Sequence, residues 1–421
     1  MKRLVLSLLW ASFTLGASTL YAQHDNEQIV VPNRKNDEEQ QKKPYLILIS
    51  ADGFRHDYIE KHQAKYLGSL GKKGVRAKAL IPSFPSVTFP NHYTIVTGLY
   101  PAHHGLVGNY MYDPKIEERY SLNNPKAVLD PAWYGGTPIW SLAEQQKMLT
   151  ACYYWPGSEA AIQGVLPSYY FPYSEKISID KRIEEVVKWL RMPEETRPHL
   201  ITFYFPEVDH AGHTYGPDAV ETKQAVQFID ESVKKLVEAV AKSDLDVNYM
   251  FVADHGMTNI DQKELLTLPI TINPEEITVV SSGVYVSLFV KDAQQVESVY
   301  SAVKAAKGPH YQVFLKNEVP EKYHFSTKDD YFGRIGDIVL IADSPYYFSN
   351  KKASPGAHGY DPYQYPDMKA TFIAWGPQIK QKTKVDAFEN IHIYPLMTEL
   401  LGLENTHKID GDDRMVKSVL K

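Results

Sequence analysis

From residue 45 onward the chain alternates short apolar runs with longer stretches whose apolar residues recur at helical spacing. Residues 45–50 read YLILIS between Pro44 and Asp52-Gly53. The run is short for a helix and apolar on both faces, which predicts a buried strand of a parallel sheet. Similar runs occupy 200–205, 248–253, 337–342 and 370–375. Amphipathic helices are predicted between them, notably over 181–190 and the long 218–242. Strands alternating with helices predict an α/β fold: a doubly wound, mostly parallel sheet with helices on both faces. Residues 276–350 break the rhythm, with strands predicted over 277–280 and 284–290 and a helix near 292–307. That stretch is read as a smaller inserted α+β elaboration of the same domain.

The start of the chain follows other rules. Met1-Lys2-Arg3 precedes an apolar stretch over 4–19 and then Leu20-Tyr21-Ala22, the layout of a signal peptide spanning 1–22. A transmembrane anchor is the competing reading, but the stretch carries several Ser and Thr and falls short of the ~18–20 strongly apolar residues a span needs. No Cys follows it, which excludes a bacterial lipoprotein anchor. Residues 23–43 are polar and charge-mixed and predict a flexible leader, which leaves 44–421 as the folded domain.

Composition narrows the function. With 421 residues, 43% of them hydrophobic and 23% charged, the chain fits neither a disordered protein nor a multi-span membrane protein. A net charge of -6 offers no basic field to hold nucleic acid through its phosphates. The count of 29 Tyr favours a pocket that stacks flat, half-polar ligands, although Tyr also serves cores. The single Cys152, read as a buried small hydrophobe, and the lack of any Asn-x-Ser/Thr sequon favour a secreted bacterial, periplasmic protein over an animal ectoprotein.

Three carboxylates come directly after apolar runs: Asp52, Asp209 and Asp254. Ligand sites of open α/β sheets lie beyond the carboxyl ends of the strands, so these three are expected to converge. His213 stands four residues after Asp209, His255 follows Asp254, and His358 sits in a Gly-rich loop. Mixed Asp and His donors suit Zn²⁺ or another first-row metal better than Mg²⁺ or Ca²⁺. Thr88 opens a predicted short helix. Its hydroxyl is either an N-cap or a nucleophile activated by the helix N-terminus and a nearby cation, with Ser86 as the rival in the same loop.

These pieces occur in one order: Ala51-Asp52-Gly53, Thr88-Phe-Pro-Asn-His92, Trp155-Pro-Gly-Ser158, Asp209-x-x-Gly212-His213-x-x-Gly216-Pro217, Asp254-His255-Gly256-Met257 and Gly356-x-His358-Gly359. The set resembles the nucleotide pyrophosphatase/phosphodiesterase family of the alkaline phosphatase superfamily, over about residues 44–403. The resemblance implies two Zn²⁺ per chain, the first on Asp209, His213 and His358 and the second on Asp52, Thr88, Asp254 and His255. It implies that Thr88 is the nucleophile and that Asn109 donates to a phosphoryl oxygen. Phe89 and Tyr204 fall where the family sandwiches a nucleobase, though both could equally be core packing. His92, His103, His104 and His210 match no ligand position, and loop hydrogen bonding is expected of them.

The implied activity is a secreted hydrolase that cleaves phosphodiester or phosphoanhydride bonds through a phosphothreonine and releases nucleoside 5′-monophosphates. Its partner is then a nucleotide or other small phosphodiester, with no sequence-specific nucleic acid and no membrane anchor after signal cleavage. A phosphate monoesterase and a diesterase for choline or lipid phosphodiesters are the nearest alternatives. A sulfatase would need a Cys/Ser-x-Pro-x-Arg motif that the Thr88 loop lacks, and a non-catalytic binding module would be expected to lose ligands. Related threonine-dependent phosphatases carry Lys or Arg in the segment that here reads 154–159. No Lys or Arg occurs from Met148 to Glu175, where Trp155, Glu159, Tyr169, Tyr170, Phe171 and Tyr173 stand instead, and this favours a diester.

Overall fold

Nine strands pair into one sheet: Ile29–Val30 (β1), Tyr45–Ala51 (β2), Val75–Ala77 (β3), Thr150–Tyr153 (β4), Tyr169–Phe171 (β5), Leu200–Phe205 (β6), Val247–Val252 (β7), Phe372–Trp375 (β8) and Thr383–Val385 (β9). The structure is a computed structural model that describes residues 26–421, so the expected signal peptide lies outside the described residues. The spatial order is β1-β5-β4-β6-β2-β7-β8-β3-β9. From β5 to β7 every pairing is parallel; β1 pairs antiparallel to β5, and β8 antiparallel to both β7 and β3. The central strand β2 is buried along both faces from Leu46 to Ala51, as its unbroken apolar run requires. Two groups of helices cover the sheet, one built around Val220–Val240 and one around Thr88–Thr97 and Ile393–Leu401. Val226, Ile229, Val233 and Leu236 face inward from the first, fully buried at helical spacing. Truncating Ile229 or Leu236 to Ala is expected to cost about 2–5 kcal/mol.

The register explains why the site forms where it does. Ser50 of β2 lies opposite Tyr204 of β6 and Val252 of β7. The carboxyl ends of three parallel neighbours are therefore level, and the chain delivers Asp52, Asp209 and Asp254 to one edge.

The inserted elaboration is a four-stranded antiparallel sheet in the order Ile277–Ser281, Tyr285–Val290, Ile338–Ala342 and Tyr311–Leu315, with the helix Val296–Ala305 beside it. The apolar run at 337–342 thus belongs to this sheet and not to the large one. Buried Arg334 ties the insert to the body, donating from Nε to Asp113 at 2.9 Å and from a terminal nitrogen to the Gly105 and Trp133 carbonyls at 3.0 and 2.8 Å.

The segment expected to be a flexible leader, 23–43, is tied to the body at several points where it is described, although most of its side chains stay exposed or half-buried. Ile29 and Val30 form the edge strand against Tyr170 and Tyr169. Asn36 is buried, donates to the Glu194 and Arg197 carbonyls at 2.8 and 2.7 Å, and accepts from the Leu149 amide at 2.7 Å. A polar composition misleads here because one amide side chain can satisfy three backbone groups and fix a loop.

Candidate active site

Gly53, with φ +67°, turns the chain sharply after β2, and its amide donates to Asp254 Oδ1 at 3.1 Å. A Cβ at Gly53 would stand 3.1 Å from the Asp209 Cα, so glycine also allows the third carboxylate to close in. Asp52, Asp209 and Asp254 are all buried, and Asp52 Oδ1, Asp209 Oδ1 and Asp254 Oδ2 have no hydrogen-bond donor. Buried carboxylate oxygens without donors are costly unless a cation faces them.

The imidazoles supply the matching pattern. His213 Nδ1 donates to the Gly356 carbonyl at 2.8 Å, His255 Nδ1 to the Gly256 carbonyl at 2.8 Å, and His358 Nδ1 to the Ser86 carbonyl at 3.0 Å. Each bond places the proton on Nδ1 and leaves the Nε2 lone pair facing inward, the arrangement that outer hydrogen bonds impose on metal-binding histidines. Ligand atoms of Asp209, His255 and His358 lie within 4.8 Å of one another, and so do those of Asp52, Asp254 and His255. His213 Nε2 joins the first group, 3.1 Å from His358 Nε2 and 3.5 Å from Asp209 Oδ1. His255 borders both groups: its Nε2 is 2.9 Å from Asp254 Oδ2, and its ring stacks on His358 at 3.5 Å. This donor set fits two adjacent N/O-ligated cations.

Protonation within the cluster is pulled in opposite directions. Burial, then the Asp254 and Asp209 charges, push the Asp52 carboxyl well above its usual range. Asp254 is held well below it, because His255 and His92 outweigh the effect of its burial. Burial and the neighbouring His255 push His358 down to about 3, so its imidazole is neutral at ordinary pH.

Thr88 is the first residue of the helix Thr88–Thr97, with Val87 at the N-cap, so the capping role considered for its hydroxyl is not observed. Its Oγ1 instead lies 3.3 Å from His255 Nε2, at the cluster. The rival Ser86 is fully buried and donates to the Tyr360 carbonyl at 2.7 Å, away from the cluster. Asn109 Oδ1 accepts from the Phe89 amide at 2.9 Å, which leaves its NH₂ as the end available to a ligand.

Asp52, Thr88, Asn109, Asp209, His213 and His358 line one cavity of about 490 Å³, together with Phe89, Trp155, Glu159, Tyr173 and Tyr204. Among the described residues lining it there is no Lys and no Arg. The expected aromatic wall is only partly there. Tyr169, Tyr170 and Phe171 are strand β5, buried in the sheet, while Trp155, Glu159 and Tyr173 reach the cavity.

Tyr204 does not act as an open stacking face. It is 7% exposed, its hydroxyl donates to Asp52 Oδ2 at 2.6 Å, and His92 and Tyr173 pack edge-on to its ring. Tyr173, 44% exposed, is the available aromatic; Glu159 accepts from its amide at 2.9 Å, and its hydroxyl donates to Glu175 at 2.9 Å. The sequence places Tyr173 in the aromatic wall of 148–175 but not as a stacking face, because an exposed Tyr beside Pro in a loop carries no periodicity signal.

His92 was expected in a loop bond and is instead a buried part of the site. It lies in the helix one turn after Thr88, bonds through Nδ1 to the Thr88 carbonyl at 3.0 Å, pairs through Nε2 with Ser50 Oγ at 2.8 Å, and has Nδ1 3.3 Å from Asp254 Oδ2. Its four-residue spacing from Thr88 was the available signal. His103 binds Asp410 at 2.7 Å, His104 is buried beside Thr94, and His210 is exposed at the cavity rim, 3.7 Å from Glu175.

A large mostly parallel α/β sheet with carboxylates and imidazoles gathered at its carboxyl edge defines an alkaline phosphatase-like hydrolase scaffold. The family described as Type I phosphodiesterase / nucleotide pyrophosphatase matches residues 46–361, and the chain belongs to that family. It is 35% identical to ectonucleotide pyrophosphatase/phosphodiesterase family member 1 of Mus musculus, over 86% of this chain and 41% of that protein. It is also 35% identical to a venom phosphodiesterase of Naja atra, over 85% of this chain and 44% of that one. The chain thus spans less than half the length of these curated relatives. Murine ectonucleotide pyrophosphatase/phosphodiesterase 5 superposes with a TM-score of 0.83 at 28% identity, over 90% of this chain and 100% of that chain. An inactive threonine-to-alanine form of that protein, solved in complex with AMP, gives the same score. No helix among the described residues is long and apolar enough to cross a membrane.

Proposed function

We propose that this chain is an exported nucleotide pyrophosphatase/phosphodiesterase that uses Thr88 as nucleophile and releases nucleoside 5′-monophosphates. The observation that carries the reading is the position of Thr88 Oγ1, at a helix N-terminus and 3.3 Å from His255 Nε2, in a cavity bordered by both ligand groups. Asp209, His213 and His358 would hold one Zn²⁺, and Asp52, Thr88, Asp254 and His255 a second. Such ions supply Lewis-acid polarisation of the phosphoryl oxygens and favour the alkoxide of a coordinated hydroxyl.

The chain's own groups account for the rest. The helix N-terminus adds a partial positive charge that favours the Thr88 alkoxide. Thr88 Oγ bonds to phosphorus as the bond to the leaving oxygen breaks on the opposite side, giving a phosphothreonine diester. Water then bonds to that phosphorus, Thr88 Oγ departs and regains a proton, and the 5′-monophosphate is freed. Asn109 donates its NH₂ to a phosphoryl oxygen, held in place because its carbonyl is occupied by the Phe89 amide. Phe89 and Tyr173 offer two aromatic surfaces for the base, which supports the AMP class of product. The AMP bound to the superposed neighbour supports the same class.

A monoesterase is the second reading, and a lining that holds carboxylates but no Lys or Arg among the described residues argues against it. A monoester dianion needs extra cationic donors, and charge-assisted bonds to phosphate are strong ones. The test is a metal-replete panel of matched aryl substrates. The nucleotide diester should exceed the monoester in kcat/KM by ~10²-fold or more, each tenfold being about 1.4 kcal/mol. Equal rates or a monoester preference would transfer the reading to a phosphatase. The signal-peptide pattern at 1–22 supports export, in a bacterium to the periplasm.

A further inference from the structure

We infer that Arg182 is a positioning residue for the ligand group of Asp209, His213 and His358: it sets the angle at which the helix bearing Asp209 and His213 leaves the sheet. This rests on the two-ion reading above and adds to it a residue that belongs to neither ligand group and still governs how tightly one of them holds its ion.

That helix, Glu207–Tyr215, begins two residues after β6 ends at Phe205. Pro206 stands at its N-cap, and no side chain caps it. Asp209 and His213 are four residues apart and share one face, so a small rotation of the first turn would carry both away from His358. Arg182 spans the junction. It projects from the helix Ile179–Leu190, is buried, and donates through one terminal nitrogen to the Tyr204 carbonyl at 3.2 Å and through the other to Glu207 Oε1 at 2.8 Å. Tyr204 lies at the end of β6, and Glu207 opens the helix. One rigid guanidinium thus holds the strand end and the first helical turn at a fixed separation, which a flexible ammonium would not. Its Cζ also lies 5.7 and 5.2 Å from the ring centroids of Phe203 and Phe205, which fixes the planar group in turn.

The two ligand groups should respond unequally to its loss. β6 keeps its ladders with β2 and β4 whatever occupies position 182, so Tyr204 and its bond to Asp52 in the second group stay in place. The helix, by contrast, loses the bond at its first turn. Arg182 and Glu207 also border a cavity of about 130 Å³, room for water to satisfy a neutral replacement, so Arg182→Gln is expected to fold.

The experiment equilibrates zinc-loaded protein with a graded series of buffered free zinc, counts the ions retained per chain, and reads the melting temperature beside them. His213→Ala, which removes a ligand of the first group, identifies that group's step. Arg182→Gln and Glu207→Gln should each weaken the same step about tenfold, the low end for groups that orient a ligand, and leave the other step within about threefold. Glu207→Gln keeps the arginine and carries the test should Arg182→Gln fail to fold. Unchanged zinc affinities with a lowered melting temperature would make the pair a structural prop, and equal weakening of both steps would make it a general brace; either result overturns the proposal. Wild type that retains fewer than two zinc ions would instead overturn the two-ion reading.

Discussion

The Nε2 atoms of His213 and His358 lie 3.1 Å apart with no proton between them, because both rings spend their N–H on backbone carbonyls. Two lone pairs do not attract each other. The spacing is close to the ligand–ligand edge of a tetrahedral ion with bonds of about 2.0 Å, which is about 3.3 Å. Metal removal is therefore expected to abolish diester hydrolysis. It should also lower Tm, since buried Asp52, Asp209 and Asp254 lose their counter-charge. Elemental analysis should find two zinc ions in fully active protein; activity without any transition metal would contradict this.

Thr88→Ala should remove nearly all turnover while keeping most of the bound metal, because Asp52, Asp254 and His255 remain. Thr88→Ser should keep part of the rate with a less restricted rotamer. Ser86→Ala should change stability more than rate, since the Ser86 hydroxyl faces the Tyr360 carbonyl. Single-turnover kinetics on the three variants, with metal content measured beside them, check this.

Tyr204 and Tyr173 should separate cleanly. Tyr204→Phe deletes the donor to Asp52 Oδ2, so metal affinity should fall ~10–100-fold, as for other groups that orient a ligand. Tyr173→Ala should leave metal binding intact and raise KM for nucleotides more than for a small aryl phosphodiester. Zinc titration and paired Michaelis–Menten curves give the two readouts.

Acid should destabilise the fold partly through His104. Its Nδ1 accepts from the Leu106 amide at 3.2 Å and its Nε2 faces the Pro90 carbonyl at 3.2 Å, which fits only the neutral ring. Burial pushes it down to about 3 from its usual 6.5. As pH falls the unfolded chain takes the proton first, so this contribution is present above 6.5 and lost progressively toward 3. With a fully buried ring the loss amounts to a few kcal/mol. His104→Asn should be less stable than wild type at neutral pH yet lose less Tm on acidification, measured by calorimetry across that range.

How much of this was legible beforehand depends on the kind of signal. Asp52, Asp209 and Asp254 were visible because each closes an apolar run, and the parallel register of β2, β6 and β7 then brings them together. The run at 337–342 was visible as a strand but not as a member of the smaller sheet, because the same apolar pattern serves either. Tyr204 illustrates a different limit: its position beside the site was inferable, but whether its face or its hydroxyl is used depends on a 2.6 Å contact set by strand register. Leader residues such as Asn36 are held by side-chain bonds to distant backbone, which periodicity does not record.

The stereochemical course at phosphorus tests the central claim most directly. A nucleotide diester made chiral at phosphorus with sulfur and oxygen isotopes would be hydrolysed in labelled water, and the configuration of the product determined. Attack by Thr88 followed by attack by water is two in-line displacements, each inverting the centre, so net retention is predicted. Net inversion would mean that water attacks directly, and Thr88 would then not be the nucleophile.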